Sequence, residues 1–312
     1  MGCIKMPDSA IHKDESNAVY NKISADFAAV IERWLERALT PRSPRVSGAL
    51  YQAAGYSVFA GGKRLRPILL LAASRAAGGD IQNALPFACA LELIHAYSLI
   101  HDDLPAMDDG ELRRGKPSNH IVYGEAMAIL AGDMLLNLAY ETMSEAVLGG
   151  GHREARAMSL IARAAGAEGM VGGQALDISA GGGPDLPAAA DELRLMHALK
   201  TGALITAALT AGAVIGGAGD ETCKKFERAG ELFGQAYQIK DDILDAEGDV
   251  KALGKPVMSD DRARRVTYVS VFGLQKAGQI YSEAAENAMV AVRDIGDAFL
   301  TAYISGLIDR VN

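Results

Sequence analysis

The sequence predicts an all-α fold, a single domain of about ten helices, on three observations. Apolar residues recur every three or four positions through most of the chain, as one buried face of a helix requires. The gaps between these periodic segments hold glycine clusters or prolines. Runs with the two-residue alternation of a strand are almost absent.

The first helical segment runs from Val19 to Leu39, where Ile23, Phe27, Val30, Ile31, Trp34 and Leu35 form one stripe, and Pro41 and Pro44 close it. Tyr51 to Phe59 follows and ends at Gly61-Gly62; Ile68 to Ala77 ends at Gly78-Gly79. Leu85 to His101 and Ala126 to Leu148 are longer, the latter stopped by Gly149 to Gly151. Ala155 to Gly169 comes next, and then Asp191 to Val214, bracketed by Gly181 to Gly183 and Gly216-Gly217. Thr222 to Ile243 and a broken stretch from Val266 to Ile308 complete the set. Residues 1–17 are expected to be a flexible leader to one domain spanning 18–312.

The 312 residues are 49% hydrophobic and 22% charged, enough for a large core without staples. A formal net charge of -8 argues against nucleic acid as a partner, though not against small phosphorylated ligands, because bound cations reverse the sign locally. Cys3, Cys89 and Cys223 are too far apart in sequence for zinc or redox spacing, which fits a reducing, cytoplasmic setting. The start is mixed polar, unlike a secretory signal, and Met6 stands where myristoylation wants Ser or Thr. No apolar run is expected to reach the ~20 residues of a membrane span.

Two acidic clusters carry the chemistry. The first, Asp102, Asp103, Asp108 and Asp109, follows an apolar helical run and is bent by Pro105. Its carboxylates therefore gather at a helix C-terminus, the negative end of the dipole, where they are costly without a cation. The second is Asp241, Asp242 and Asp245; Asp241 and Asp245 stack on one helical face. Desolvated carboxylates ~4 Å apart repel by roughly 4 kcal/mol at an effective dielectric of 20. One such cluster reads as ordinary solvated surface. Two of the same form, each after an apolar helical run, point to a divalent metal, and magnesium fits best because it combines one or two carboxylates with substrate phosphates.

Basic groups complement the acids. Gly61 to Pro67 contains Lys63, Arg64 and Arg66; Arg113, Arg114 and Lys116 follow the first cluster; Lys200 and Lys255 flank the second. The run at Gly62-Lys63 is no phosphate-binding P-loop, since Arg64 stands where Ser or Thr is needed. Any one of these groups alone is surface decoration. Beside metal-binding acids they read as the remaining counter-charges of a diphosphate. His95 sits seven residues before Asp102, on nearly the same face, with a buried core histidine as the alternative.

With these motifs the chain resembles the trans-isoprenyl diphosphate synthases, most of all their bacterial farnesyl diphosphate synthase group, from about Tyr51 to Asp261. The matching motifs are Gly62 to Pro67, Asp102-Asp103 with Asp108, Arg113 to Pro117, Gly172-Gly173-Gln174 with Asp177, Lys200-Thr201-Gly202, Tyr237-Gln238, and Asp241-Asp242 with Asp245. The resemblance implies helices around a deep central cavity, a homodimer, and three magnesium ions per active site held by Asp102, Asp103, Asp108 and Asp241, with Asp242 and Asp245 in support. It assigns Arg113, Lys200 and Lys255 to an allylic diphosphate, and Lys63, Arg66, His95 and Arg114 to isopentenyl diphosphate. Lys200, Thr201 and Gln238 form the implied catalytic set.

The implied reaction ionises the allylic diphosphate and adds the cation to the double bond of isopentenyl diphosphate, needing no covalent nucleophile. Tyr97 and Ser98, about one turn before Asp102, are the implied gauges of chain length, with an aromatic at Tyr97 favouring the farnesyl product. Geranyl and geranylgeranyl products stay open, as do an HD-type phosphohydrolase built on His101-Asp102, a terpene cyclase and an inactive partner subunit.

Overall fold

The computed structural model of the protein describes residues 8–41, 43, 48–179, 186–253 and 266–310. They form fourteen α-helices, one π-helical turn and one two-stranded hairpin. In order these are α1 (Asp8–Ala38), α2 (Gly48–Val58), α3 (Leu65–Ala76), α4 (Ile81–Asp102), β1 (Leu112–Arg113), β2 (Lys116–Pro117), α5 (Asn119–Tyr123), α6 (Glu125–Gly149) and α7 (His152–Ala165). Then come α8 (Met170–Ser179), α9 (Leu186–His197), the π turn (Ala198–Gly202), α10 (Ala203–Gly216), α11 (Asp220–Leu253), α12 (Tyr268–Phe272), α13 (Leu274–Ile295) and α14 (Ala298–Ile308).

The core lies where α3, α4 and α10 meet. Twelve of the fourteen residues of α10 are buried, and a helix apolar all round belongs at the centre of a bundle. It packs on α3, α7 and α11, while α4 packs on α3 and α6. Leu69, Leu70, Phe87, Leu91, Phe226 and Phe233 are almost fully enclosed there. Burying each such side chain stabilises the fold by about 1.5–3 kcal/mol. Asp80 caps α4, its carboxylate accepting the Gln82 amide at 2.9 Å.

The all-α class holds, with four corrections. The helix expected from Asp191 to Val214 is interrupted at Ala198–Gly202 by a π turn. The helix expected to end at Ile243 continues to Leu253, so the second acidic cluster sits within α11 and not at its end. The element α8 went unread because Gly172-Gly173 looks like a breaker. Finally, Ile81–Asp102 and Ala190–Gly216 are long and apolar enough to cross a membrane, contrary to expectation; most of each is buried among other helices, as in a core helix.

Candidate active site

Asp102 closes α4 and Asp103 caps it. Beyond them the chain curls back. The Asp108 amide donates to the Asp102 carbonyl at 2.9 Å, and the Gly110 amide to that of Asp103 at 3.2 Å. Asp102 is half-buried, and burial pushes its carboxyl up to about 6; Asp108 and Asp103 add to the rise, while Lys200 and Arg113 oppose it.

The hairpin delivers the arginines. Leu112 pairs with Pro117 and Arg113 with Lys116, so Arg114 and Gly115 are the two central turn residues. Both have positive φ, 54° and 75°, which a type I′ turn demands and glycine supplies freely. Arg113 turns back to grip buried Asp103, its Nη2 at 2.5 Å and Nε at 3.1 Å from one carboxylate oxygen. Arg114 reaches the carbonyl of Gly61, tying the hairpin to the turn that carries Lys63 and leads into α3 with Arg66. Lys63 is exposed and Arg66 half-buried. His95, facing Arg66, Arg114, Arg113 and Arg64, is driven well below the usual imidazole range, first by burial and then by those cations, so it is neutral.

The π turn carries Lys200 and Thr201. Such turns often mark functional sites, and here packing enforces it. A side chain at Gly173 of α8 would lie 2.6 Å from the Lys200 Cα, and one at Gly234 of α11 would lie 2.9 Å from the Gly202 Cα. Thr201 donates its hydroxyl to Gln238 at 2.7 Å, and Gln238 donates its amide to Asp242 at 3.0 Å. Asp242 is buried and also accepts the Tyr268 amide at 2.8 Å. Asp241 is half-buried and paired with Arg310, whose guanidinium lies 3.8 Å over the Tyr237 ring. Burial raises Asp241 and Asp242 to about 6; Arg310 counters the rise at Asp241, and hydrogen bonds from Tyr268 and Gln238 counter it at Asp242. Asp245 is exposed one turn on.

A cavity of about 580 Å³ runs below this charged rim. Arg66, His95, Asp102, Lys200 and Thr201 line its polar end, and Tyr97, Leu104, Met107, Ile129 and Met170 its apolar part. Tyr97 is buried, edge-on to His101 with ring centres 5.7 Å apart. Ser98 also lines the cavity, its hydroxyl donating to the His95 carbonyl at 2.9 Å. His101 bonds the Ile129 carbonyl at 3.1 Å and so faces backbone.

Arg66 lines the cavity with Asp102 and lies within electrostatic reach of Asp241, while Asp241, Asp242 and Asp245 are not among the residues that line the cavity. Lys255 lies outside the described residues. Sequence reasoning gave no role to Asp177, Arg310 or Gln174, though Lys200 pairs with Asp177 at 2.5 Å and both polar side-chain atoms of Gln174 are buried without partners. The motif match at Asp177 was the available signal; nothing in the sequence connects Arg310 to Asp241. Among the described residues no group of three or more His, Cys, Asp or Glu is arranged to hold a metal alone. Magnesium does not need one: it takes one or two carboxylates and completes its shell with phosphate and water. Desolvated Asp102 and Asp241, each crowded by further carboxylates, fit that demand.

Charged groups at one end of the cavity and apolar walls at the other suit a ligand with an anionic head and a hydrocarbon tail. The fold and site define an all-α protein with a charged rim over one largely apolar cavity. The chain belongs to the polyprenyl synthetase family, whose description matches residues 47–299. It is 44% identical to a farnesyl diphosphate synthase of Geobacillus stearothermophilus, across 88% of this chain and 93% of that one. It is 43% identical to the chloroplastic geranylgeranyl pyrophosphate synthase 12 of Arabidopsis thaliana, across 77% and 69%. Among solved structures, a geranyltransferase from Legionella pneumophila superposes with a TM-score of 0.80 at 31% identity, over 95% of this chain and 99% of that one.

Proposed function

We propose that this protein is a magnesium-dependent prenyltransferase that condenses isopentenyl diphosphate with dimethylallyl and geranyl diphosphates to give farnesyl diphosphate. The observation that carries the reading is the shared cavity, with Asp102, Lys200 and Thr201 at its head and Tyr97 among its apolar walls. The farnesyl and geranylgeranyl synthases among its relatives support the same reaction class.

Asp102, Asp103, Asp108 and Asp241 would hold magnesium, three ions by the family pattern, with Asp242 and Asp245 in support. When bound, magnesium supplies Lewis-acid stabilisation of the departing diphosphate. Arg113, Lys200 and Lys255 bind that diphosphate, which leaves with the electron pair of its carbon–oxygen bond. Lys63, Arg66, His95 and Arg114 hold isopentenyl diphosphate so that its double bond attacks the allylic cation. The proton then lost passes to the released diphosphate. Thr201 and Gln238, joined by the Thr201 hydroxyl, line the reacting region.

Residues 18–312 act as one synthase domain. Exposed Ile121, Val122 and Leu130 on α5 and α6 support a homodimer. Unpaired, buried Cys89 and Cys223 accord with a cytoplasmic setting. The test is mass analysis of products from labelled isopentenyl diphosphate with each allylic partner, with and without magnesium. A fifteen-carbon product made only with the metal is expected; geranyl or geranylgeranyl diphosphate corrects the length, and phosphate release without chain growth overturns the reaction.

A further inference from the structure

Arg64 has no part in the chemistry proposed above, yet it is built into the molecule at some cost. It sits between Lys63 and Arg66 with φ 46° and ψ 39°, the left-handed region that non-glycine residues avoid. Its side chain is almost wholly enclosed. Nη1 donates to Glu92 at 2.6 Å, Nε to Glu32 at 2.7 Å, and Nη2 to the Val58 carbonyl at 2.8 Å. One guanidinium thus ties α1, α2 and α4 to the turn before α3.

Buried ion pairs are poor sources of stability, and apolar replacements of similar volume often serve as well. What this one secures is direction. Glu92 lies one turn before His95 on α4, and Arg64 stands between Lys63 in the turn and Arg66 in the first turn of α3. In the same turn Gly62, at φ 133°, passes so close under the Arg114 guanidinium that a side chain there would lie 2.8 Å from it. Arg66 and Arg114 feel the charge of Glu92, His95 feels that of Arg64, and Lys63 adjoins Arg64 in the chain, so all four groups assigned to one diphosphate neighbour this pair.

We propose that Arg64 and Glu92 are positioning residues for the isopentenyl diphosphate half-site, holding Lys63, Arg66 and His95 in mutual register. The inference rests on the prenyltransferase reading. Coulomb attraction alone predicts the opposite consequence of mutation. Glu92 is the acid common to Arg64, Arg66 and Arg114, so removing its charge makes the pocket more positive and should tighten an anion.

The experiment uses Glu92→Gln, the milder Glu32→Gln at a half-exposed partner, and Arg64→Gly, which relieves the backbone strain while deleting the guanidinium. KM is measured separately for isopentenyl and geranyl diphosphate, and isopentenyl diphosphate binding is followed by calorimetry. Glu92→Gln and Arg64→Gly should raise both KM and Kd for isopentenyl diphosphate about tenfold, the size of one charge-assisted hydrogen bond, with KM for geranyl diphosphate within about twofold. Glu32→Gln should move them the same way by about threefold, and carries the test alone if the other two do not fold. Unchanged or tighter isopentenyl diphosphate binding, or a rise shared equally by both substrates, overturns the inference. A wild-type chain that forms no prenyl product instead overturns the reaction itself, and this proposal with it.

Discussion

The Lys200 ammonium lies 2.5 Å from a carboxylate oxygen of Asp177, joining the π turn to α8. Both side chains are largely shielded from water, so the pair fixes where the lysine points. Asp177→Asn keeps the shape and removes the anchor. A charge-assisted bond of this kind is worth about 1.5–3 kcal/mol, so kcat/KM for the allylic substrate should fall at least roughly tenfold. Steady-state rates with geranyl diphosphate varied will show it; wild-type values would make Asp177 a bystander.

Tyr97 is the second point of leverage. It is buried on α4, five residues before Asp102, and lines the apolar part of the cavity. Burial, with Tyr140 and Asp102 nearby, pushes its phenol up to about 12, so it stays neutral as part of the wall. Tyr97→Ala removes the ring and opens room for further five-carbon units. Products longer than those of the wild type should appear by mass analysis. An unchanged product distribution would show that the chain length is set elsewhere.

The sequence disclosed what is local. Helical periodicity and both acidic clusters lie within a few residues of themselves, and Arg113 is ten residues from the Asp103 it grips. The partners that fix the site come from farther away. Arg64 meets Glu92 and Glu32 at separations of 28 and 32 residues, and Arg310 meets Asp241 at 69. No periodicity encodes such pairings, because they follow from how helices pack. The π turn was illegible for the same reason. Its residues are ordinary helix formers on paper, and only the approach of α8 and α11 displaces their hydrogen bonding.

Acid should uncouple metal from the fold. Asp102, Asp241 and Asp242 titrate near 6 in the folded chain against 3.8 for the free side chain. A raised folded value means that the native state holds protons the unfolded state releases between those limits. Ionising these groups therefore costs stability above about pH 6, and the cost is relieved as the pH falls through 6 toward 4. A cation that binds the ionised carboxylates offsets the same cost at high pH. Magnesium with diphosphate should raise Tm at about pH 7.5, and that shift should fade by about pH 5 as protons take the oxygens. A shift of equal size at both pH values would mean that these aspartates do not hold the metal.

The π turn itself can be tested at Gly173. Its missing side chain allows α8 to touch the backbone of Lys200, with a hypothetical Cβ only 2.6 Å from the Lys200 Cα. That neighbour is main chain and has no rotamer to yield. Gly173→Ala must push α8 away or rewind the turn into regular α-helix. Rewinding would rotate Lys200 and Thr201 away from Asp177 and Gln238, their present partners. The overpacking should cost about 1–3 kcal/mol in chemical denaturation, leaving a folded protein. The reaction should suffer more, because moving a positioned group by about 1 Å can lower a rate on the order of a hundredfold. If Gly173→Ala loses stability yet turns over at the wild-type rate, the shape of the turn has no bearing on where Lys200 and Thr201 act.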